Sequence, residues 1–188
     1  FRKIEQKRQE ALKNDILISS DADFVPGKIS TTAQSFDCKL RLKGDLSDHW
    51  ESEKSSFRVR LKDNATIYGM SNLSLQRPVT RGNTSQFLFL ESLRREDLIA
   101  VRYRFVNLTI NGKDMGVYAM EEHFSKELVE SQRRRDGVIV SFDEYRYWKQ
   151  LPPAQRNFHL SSTYQSANIQ LRNNKRTEGS PLLLKQKV

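Results

Sequence analysis

The stretch Phe105-Val-Asn-Leu-Thr-Ile-Asn-Gly-Lys-Asp-Met-Gly-Val-Tyr-Ala-Met-Glu-Glu-His-Phe124 reads as a β-hairpin. Val106, Leu108 and Ile110 alternate with Asn107 and Thr109, the period of two that marks a half-buried strand. Asn111-Gly112 supplies the two residues that most readily take positive φ, as a type I′ turn requires. Gly116 is placed to mark a bulge where the return strand begins, and Val117 to Met120 lead into Glu121 and Glu122. If the strand persists, these two acids point to opposite faces, so that one can answer the opposite charge on a neighbouring strand.

Two other segments show the same alternation with a distinctive polar face. Phe36, Cys38, Leu40 and Leu42 alternate with Asp37, Lys39, Arg41 and Lys43. Phe57, Val59 and Leu61 alternate with Arg58, Arg60 and Lys62. If these strands are neighbours, their like charges confront one another, which costs a few tenths up to about 1 kcal/mol each. Something anionic is then expected there, from the protein or from a ligand, against the plainer reading of a solvated face. Gly44 follows the first strand, where backbone could approach a ligand closely.

Around these strands the chain reads as helix over residues 1–13, then a loop containing Pro26-Gly27. A polar loop runs to Trp50, and Asp63-Asn64 is a turn. Ile67 to Leu75 reads as a further strand interrupted at Gly69, and Pro78 to Asn83 as a basic loop. A helix capped by Thr84 or Ser85 runs to Glu96 with Phe87, Leu90 and Leu93 inward, and Arg94 and Arg95 suit its end. A second helix starts at Ser125 and stops at Gly137, and Val138 to Phe142 reads as a strand. From Tyr145 onward eight Lys or Arg face one acid, Glu178, so this segment holds seven of the nine net positive charges. Its polar composition cannot bury much surface on its own.

A net charge of +9 calls for an anionic partner such as a nucleotide, an acidic protein, nucleic acid or a membrane surface. The single cysteine, Cys38, alternates with core positions and reads as a small buried hydrophobe. No Cys/His cluster has metal-ligand spacing, and no Walker, Gly-x-Gly-x-x-Gly or Gly-x-Ser-x-Gly motif occurs. Asp48-His49 lacks a third partner for acid–base chemistry. No run is long enough to span a bilayer. Nucleic-acid binding lacks both a motif and a row of exposed aromatics.

Taken together, these pieces resemble the CotH family of atypical, protein-kinase-like proteins, named after a spore coat component. The resemblance rests on Arg41-Leu42-Lys43-Gly44-Asp45 and on Lys54-Ser55-Ser56-Phe57-Arg58-Val59-Arg60. It continues through Tyr103-Arg104-Phe105-Val106 to Ile110-Asn111-Gly112, then Gly116-Val117-Tyr118-Ala119-Met120-Glu121-Glu122-His123-Phe124 and Phe142-Asp143-Glu144. It implies a two-lobed fold that binds ATP with Mg2+ and phosphorylates protein serines, in an extracytoplasmic or cell-surface setting. By order along the chain, the turn at Gly44, flanked by Arg41 and Lys43, would cover the phosphates. The strand carrying Ser56, Arg58, Arg60 and Lys62 would present a cation to them. The helix around Glu91 would position that cation, and the hairpin would lead to the crossover between lobes near Glu122. Lys54, Ser56, Arg58 and Glu122 match the family pattern most closely. Tyr145, where another acid is expected, departs from it.

A kinase needs an acid to accept the substrate proton and a metal-holding acid with a nearby Asn. Residues 145–188 contain no Asp and only Glu178. The expectation is therefore an α+β fold, mainly antiparallel sheet with a few helices, resembling a kinase amino-terminal lobe plus the start of a second. Residues 1–35 would be a helix and loop, 36–123 the lobe, and 124–188 a truncated or partly disordered second lobe. The expected partners are nucleotide and protein substrate in an intact protein that includes the missing lobe, and the chain alone is expected to be inactive. The alternative is a non-catalytic module whose basic sheet face binds acidic proteins or surfaces.

Overall fold

Alternation along the chain becomes a six-stranded antiparallel sheet with one helix on each face. A computed structural model describes residues 1–135, 137 and 139, and the backbone of 140–143 and 168–171. Helix α1 (Arg2–Asn14) precedes β1 (Val25–Ser30), β2 (Ser35–Leu42), β3 (Phe57–Leu61) and β4 (Asn72–Gln76). Helix α2 (Ser85–Arg95) and the hairpin β5 (Tyr103–Ile110) and β6 (Lys113–Glu122) follow, and the sheet order is β1-β2-β3-β4-β6-β5. This α+β arrangement of antiparallel sheet and few helices is the one expected from the sequence.

The apolar face carries Cys38, Leu42, Phe57, Val59, Leu73, Leu75, Tyr118 and Met120, and Ile4 and Ala11 of α1 join the same core. Each Leu, Ile, Val, Phe or Met among them, fully buried, contributes about 1.5–3 kcal/mol. On the other face, Leu90 of α2 packs with Tyr103, Ala119 and Ala100, with Phe87 and Leu93 alongside. The helix therefore covers only the β5–β6 end of that face, leaving the β2–β3 end to polar groups.

The hairpin forms around Asn111 (φ 50°) and Gly112 (φ 83°), as its turn chemistry predicts. The register slips between Asn107 and Thr109, opposite Gly116 with its φ of 69°. Gly116 thus sits in a bulge, but the return strand already begins at Lys113, before it.

Other boundaries differ from the sequence reading. Pro26-Gly27 lies within β1 and not in a loop; β1 is an edge strand, where a missing N–H costs no ladder bond. The loop to Trp50 is not simply polar, because Trp50 is fully buried and its indole donates to the Gly44 carbonyl at 3.0 Å. Ile67 and Met70 make only an isolated bridge around a tight turn at Tyr68-Gly69, and β4 starts at Asn72. Neither Thr84 nor Ser125 makes a side-chain capping bond.

Residues Phe1–His123 and Phe124–Val188 are separate compact units. In the second, α3 (Lys126–Ser131) buries Leu128 and Val129 but stops at Ser131, with Arg133 in the left-handed region (φ 56°), short of the expected Gly137. Strand β7 (Val140–Asp143) pairs antiparallel with β8 (Asn168–Leu171). Strand β8 falls in the segment expected to be a truncated or partly disordered start of a second lobe. The rest of that expectation lies outside the described residues.

Candidate functional site

The cationic strands are neighbours, and their charges meet as anticipated: Lys39 stands opposite Arg60, and Arg41 opposite Arg58. The row through Arg41 and Arg58 continues across Ser74 and Glu121 to Tyr103. One face of the sheet thus runs from cations on β2 and β3 to a carboxylate on β6. The protein supplies anions at both ends of the cationic patch, by different means.

At the outer end, residues 19–24 fold over Arg41 and Arg60. Asp21 accepts two hydrogen bonds from Arg60, at 3.1 and 3.2 Å. The Phe24 ring lies 4.3 Å from the Arg60 guanidinium carbon and 5.2 Å from that of Arg41. Arg41 also donates to Ser19 Oγ and to the Leu42 carbonyl. Hydrogen bonding from Arg60 holds the Asp21 carboxyl below its ordinary range, although Asp21 itself is largely exposed.

At the inner end, Lys43 follows β2 into the interior, with only 11% of its side chain exposed. Its Nζ donates to Gln76 Oε1 at 2.6 Å and lies 3.7 Å from Glu121 Oε1. Gln76, fully buried, donates from Nε2 to Glu121 Oε2 at 2.8 Å, while Arg81 approaches the same oxygen at 3.9 Å. The amide orientation is dictated by its neighbours, since an ammonium only donates and a carboxylate only accepts. Burial pulls the Lys43 pKa down to about 8; Glu121 opposes that shift, and the charges of Arg58 and Arg81 add to it. Arg58 donates to His123 Nδ1 at 2.5 Å. Among the described residues Lys43 and Arg81 thus share the Glu121 carboxylate, with the Arg58 charge acting on Lys43 beside them, an arrangement suited to an anion.

Gly44 does not leave an open approach for a ligand. Its φ is 95°, and a Cβ there would overlap the His49 ring. The Gly44 carbonyl is taken by Trp50, and the Asp45 carbonyl accepts from Leu17 N at 3.2 Å. The close approach foreseen at this glycine is made by a histidine of the same chain. His49 Nδ1 and Ser56 Oγ share a hydrogen bond of 2.9 Å, with Ser56 fully buried. Burial, with Lys43, Arg81 and Arg77 nearby, drives the His49 pKa down to about 4, so the ring is neutral near pH 7. Asp48 does not complete an acid–base pair with it. Burial raises the Asp48 pKa, and the His49 ring is engaged with Ser56.

Several residues assigned by resemblance lie away from this cluster. Lys54 Nζ sits 5.9 Å from the ring of Tyr118, a member of the apolar core. Lys62 is exposed beyond the end of β3. Glu91 pairs with Arg94 of its own helix, and Arg94 donates to the Val101 carbonyl at 2.6 Å. Glu122 pairs with Leu73 in register and so faces away from Lys43. It is 4% exposed and accepts from Arg102 Nε at 2.8 Å, Nη2 at 2.5 Å and the backbone N at 3.1 Å. The acid of the pair that meets the cations is Glu121. The structure thus gathers Lys43, Gly44, Ser56 and Arg58, and separates Lys54, Lys62, Glu91 and Glu122 from them.

A family model described as CotH kinase protein matches residues 40–182, well over half of the 188-residue chain. The chain belongs to the CotH kinase family. No curated protein matches it. The match begins within β2, so it takes in Lys43, Arg58, Gln76, Arg81 and Glu121. The strap at residues 19–24 lies before it.

The sequence reading passed over Gln76 and Arg81, left open which of the two acids answers the cations, and named Glu122 as a binding residue only through the resemblance. One signal was available for the acids. Tyr118 and Met120 are apolar residues of even number, so parity places Glu121 on the other face with Ala119. Among the described residues no group of three or more His, Cys, Asp or Glu is placed to hold a metal ion. No metal-dependent step is assigned to these residues. Also among the described residues, no helix is long and apolar enough to cross a membrane.

Proposed function

We propose that this chain supplies the phosphate-binding part of an ATP-dependent, CotH-type protein kinase that acts on protein serines. The observation that carries the reading is the inner cluster, where Lys43 and Arg81 converge on the carboxylate of Glu121 and the charge of Arg58 bears on Lys43. A polyphosphate there adds the negative charge that the cluster lacks, and charge-assisted hydrogen bonds to phosphate oxygens are the strong kind. The role of these residues is to bind and orient; in phosphoryl transfer, positioning and neutralisation of charge are most of the catalytic work. The covered Arg41 and Arg60 contribute less, because the strap already answers them.

The same reading has these 188 residues bind nucleotide without transferring phosphate. Residues 145–188 offer no Asp and only Glu178 for the proton-accepting and metal-holding roles. Calorimetric titration of the chain with ATP tests the proposal. Binding is expected to fall with added salt and to weaken about tenfold or more in Lys43→Met, the size of a lost charge-assisted contact. Arg60→Ala is expected to have a smaller effect. No binding at millimolar ATP, together with salt-sensitive capture of an acidic protein, would replace this reading with that of a non-catalytic basic module.

A further inference from the structure

Lys43 is a lysine taken out of water without a full set of partners. An ammonium has three donors, and among the described residues Lys43 makes one hydrogen bond, to Gln76, and one longer contact, to Glu121. It keeps capacity for another acceptor. Besides Glu121, the charges that bear on it are repulsive: Arg58 on β3 and Arg81 in the turn after β4. His49, in the turn after Gly44, is neutral, and Gln76 on β4 carries no charge. Without Glu121 the ammonium would face two guanidiniums across a buried amide.

Glu121 has the geometry to govern this lysine in two ways. It attracts the ammonium across 3.7 Å, and it fixes the Gln76 amide by accepting from Nε2, which turns Oε1 toward Lys43. Both groups sit in strand ladders, Gln76 opposite Ala119 and Glu121 opposite Ser74, so neither depends on a mobile loop. The acid that the resemblance would assign to this task, Glu91, is instead paired within α2.

We propose that Glu121, acting directly and through Gln76, is the positioning residue that holds the Lys43 ammonium toward a nucleoside polyphosphate. This rests on the phosphate-binding reading above and transfers the role of orienting acid from helix α2 to strand β6 of the same sheet as the cation.

Two measurements on the whole chain test it separately. Lysine side-chain nitrogen NMR follows the Lys43 titration without ligand, and ATP titration at pH 7 follows binding. In Glu121→Gln the Lys43 midpoint is expected to fall by about one pH unit or more, as an opposing charge is lost. ATP affinity is expected to weaken about tenfold, with Glu121→Asp recovering part of both effects. Amide spectra confirm that each variant is folded, and the aspartate variant serves as the test should the glutamine variant not fold. A Lys43 midpoint unchanged in Glu121→Gln while wild type binds ATP overturns the role of Glu121 alone. A midpoint that moves in Glu91→Gln and not in Glu121→Gln returns the role to α2 and also overturns it. Absence of ATP binding by the wild type overturns the nucleotide reading, and with it the ligand named here, even where the Lys43 midpoint still responds to Glu121.

Discussion

The two ends of the cationic face carry the same residue types and are answered in opposite ways. At the outer end Arg60 and Asp21 meet in water, with 46% and 77% of their side chains exposed. At the inner end Lys43 and Glu121 meet with 11% and 15% exposed. The outer pair has better geometry, two direct hydrogen bonds, yet the inner pair should matter more. Exposed pairs are worth about 0–1 kcal/mol because water and salt screen them. A pair withdrawn from water is weakly stabilising as a whole, but removing one partner strands the other. The outer end is thus finished by the chain itself, whereas among the described residues the inner end sets Lys43 and Arg81 against one carboxylate, which a bound anion would complement.

The largest effect expected from breaking this contrast is Glu121→Leu. It leaves Lys43 and Arg81 without their shared carboxylate and leaves the Gln76 amide without its acceptor. Loss of one member of a buried pair typically costs about 3–5 kcal/mol, and the residual exposure here lowers the expectation to about 2–4 kcal/mol. Chemical denaturation of wild type and variant at pH 7 measures it. A loss below about 1 kcal/mol would place this pair in the same class as the exposed one.

A smaller effect comes from pH, and two groups of the inner end set its sign. The Lys43 pKa in the fold is about 8, below its usual 10.5. The unfolded chain therefore binds the proton more tightly, and stability rises as pH increases from about 8 toward 10.5. The His49 pKa is about 4 against 6.5. Its contribution is present above pH 6.5 and is lost as pH falls through about 4. Each effect is of order 1–3 kcal/mol at about 1.4 kcal/mol per pH unit. In Lys43→Met the alkaline gain should vanish while the acid loss remains, and in His49→Gln the reverse. Because nucleotide binding uses the charged lysine, it should weaken over the same alkaline range in which the fold is stabilised. Denaturation and ATP titrations repeated from pH 4 to 10 check both. An alkaline gain of equal size in wild type and Lys43→Met would break the link.

The cationic face was legible because a period of two needs only local counting, and β2 and β3 show it without interruption. Their pairing, with Arg41 against Arg58, follows from the same pattern. Depth was not legible. Arg41 and Lys43 look alike in sequence, but what distinguishes them is contributed by distant segments: residues 19–24 for one, and Gln76, Arg81 and Glu121 for the other. The Gly44 turn misled for a similar reason. A glycine signals close approach, but only the fold shows that the approaching group is His49. Glu122 shows how a family motif conceals geometry. It lies next to Glu121 and is the more buried of the two, yet strand parity turns it toward Arg102 and the Tyr68-Gly69 turn on the opposite face.

The smallest expected effect sharpens the contrast from the other side. Asp21→Asn removes the charge answering Arg60, and Phe24→Leu removes the ring that the two guanidiniums flank. Asp21→Asn should change stability by no more than about 1 kcal/mol, and less in high salt, because water replaces the lost partner. Phe24→Leu forfeits a cation–π contact worth about 0.5–1 kcal/mol at an exposed site. Their effect on ligand binding should run in the opposite direction from that of Glu121→Gln. Uncovering Arg41 and Arg60 adds free positive charge beside the Lys43 cluster, so ATP affinity should stay the same or rise. If either substitution weakened ATP binding as strongly as Lys43→Met, the strap would be part of the ligand site, and the division of the face into a completed end and an open end would be wrong.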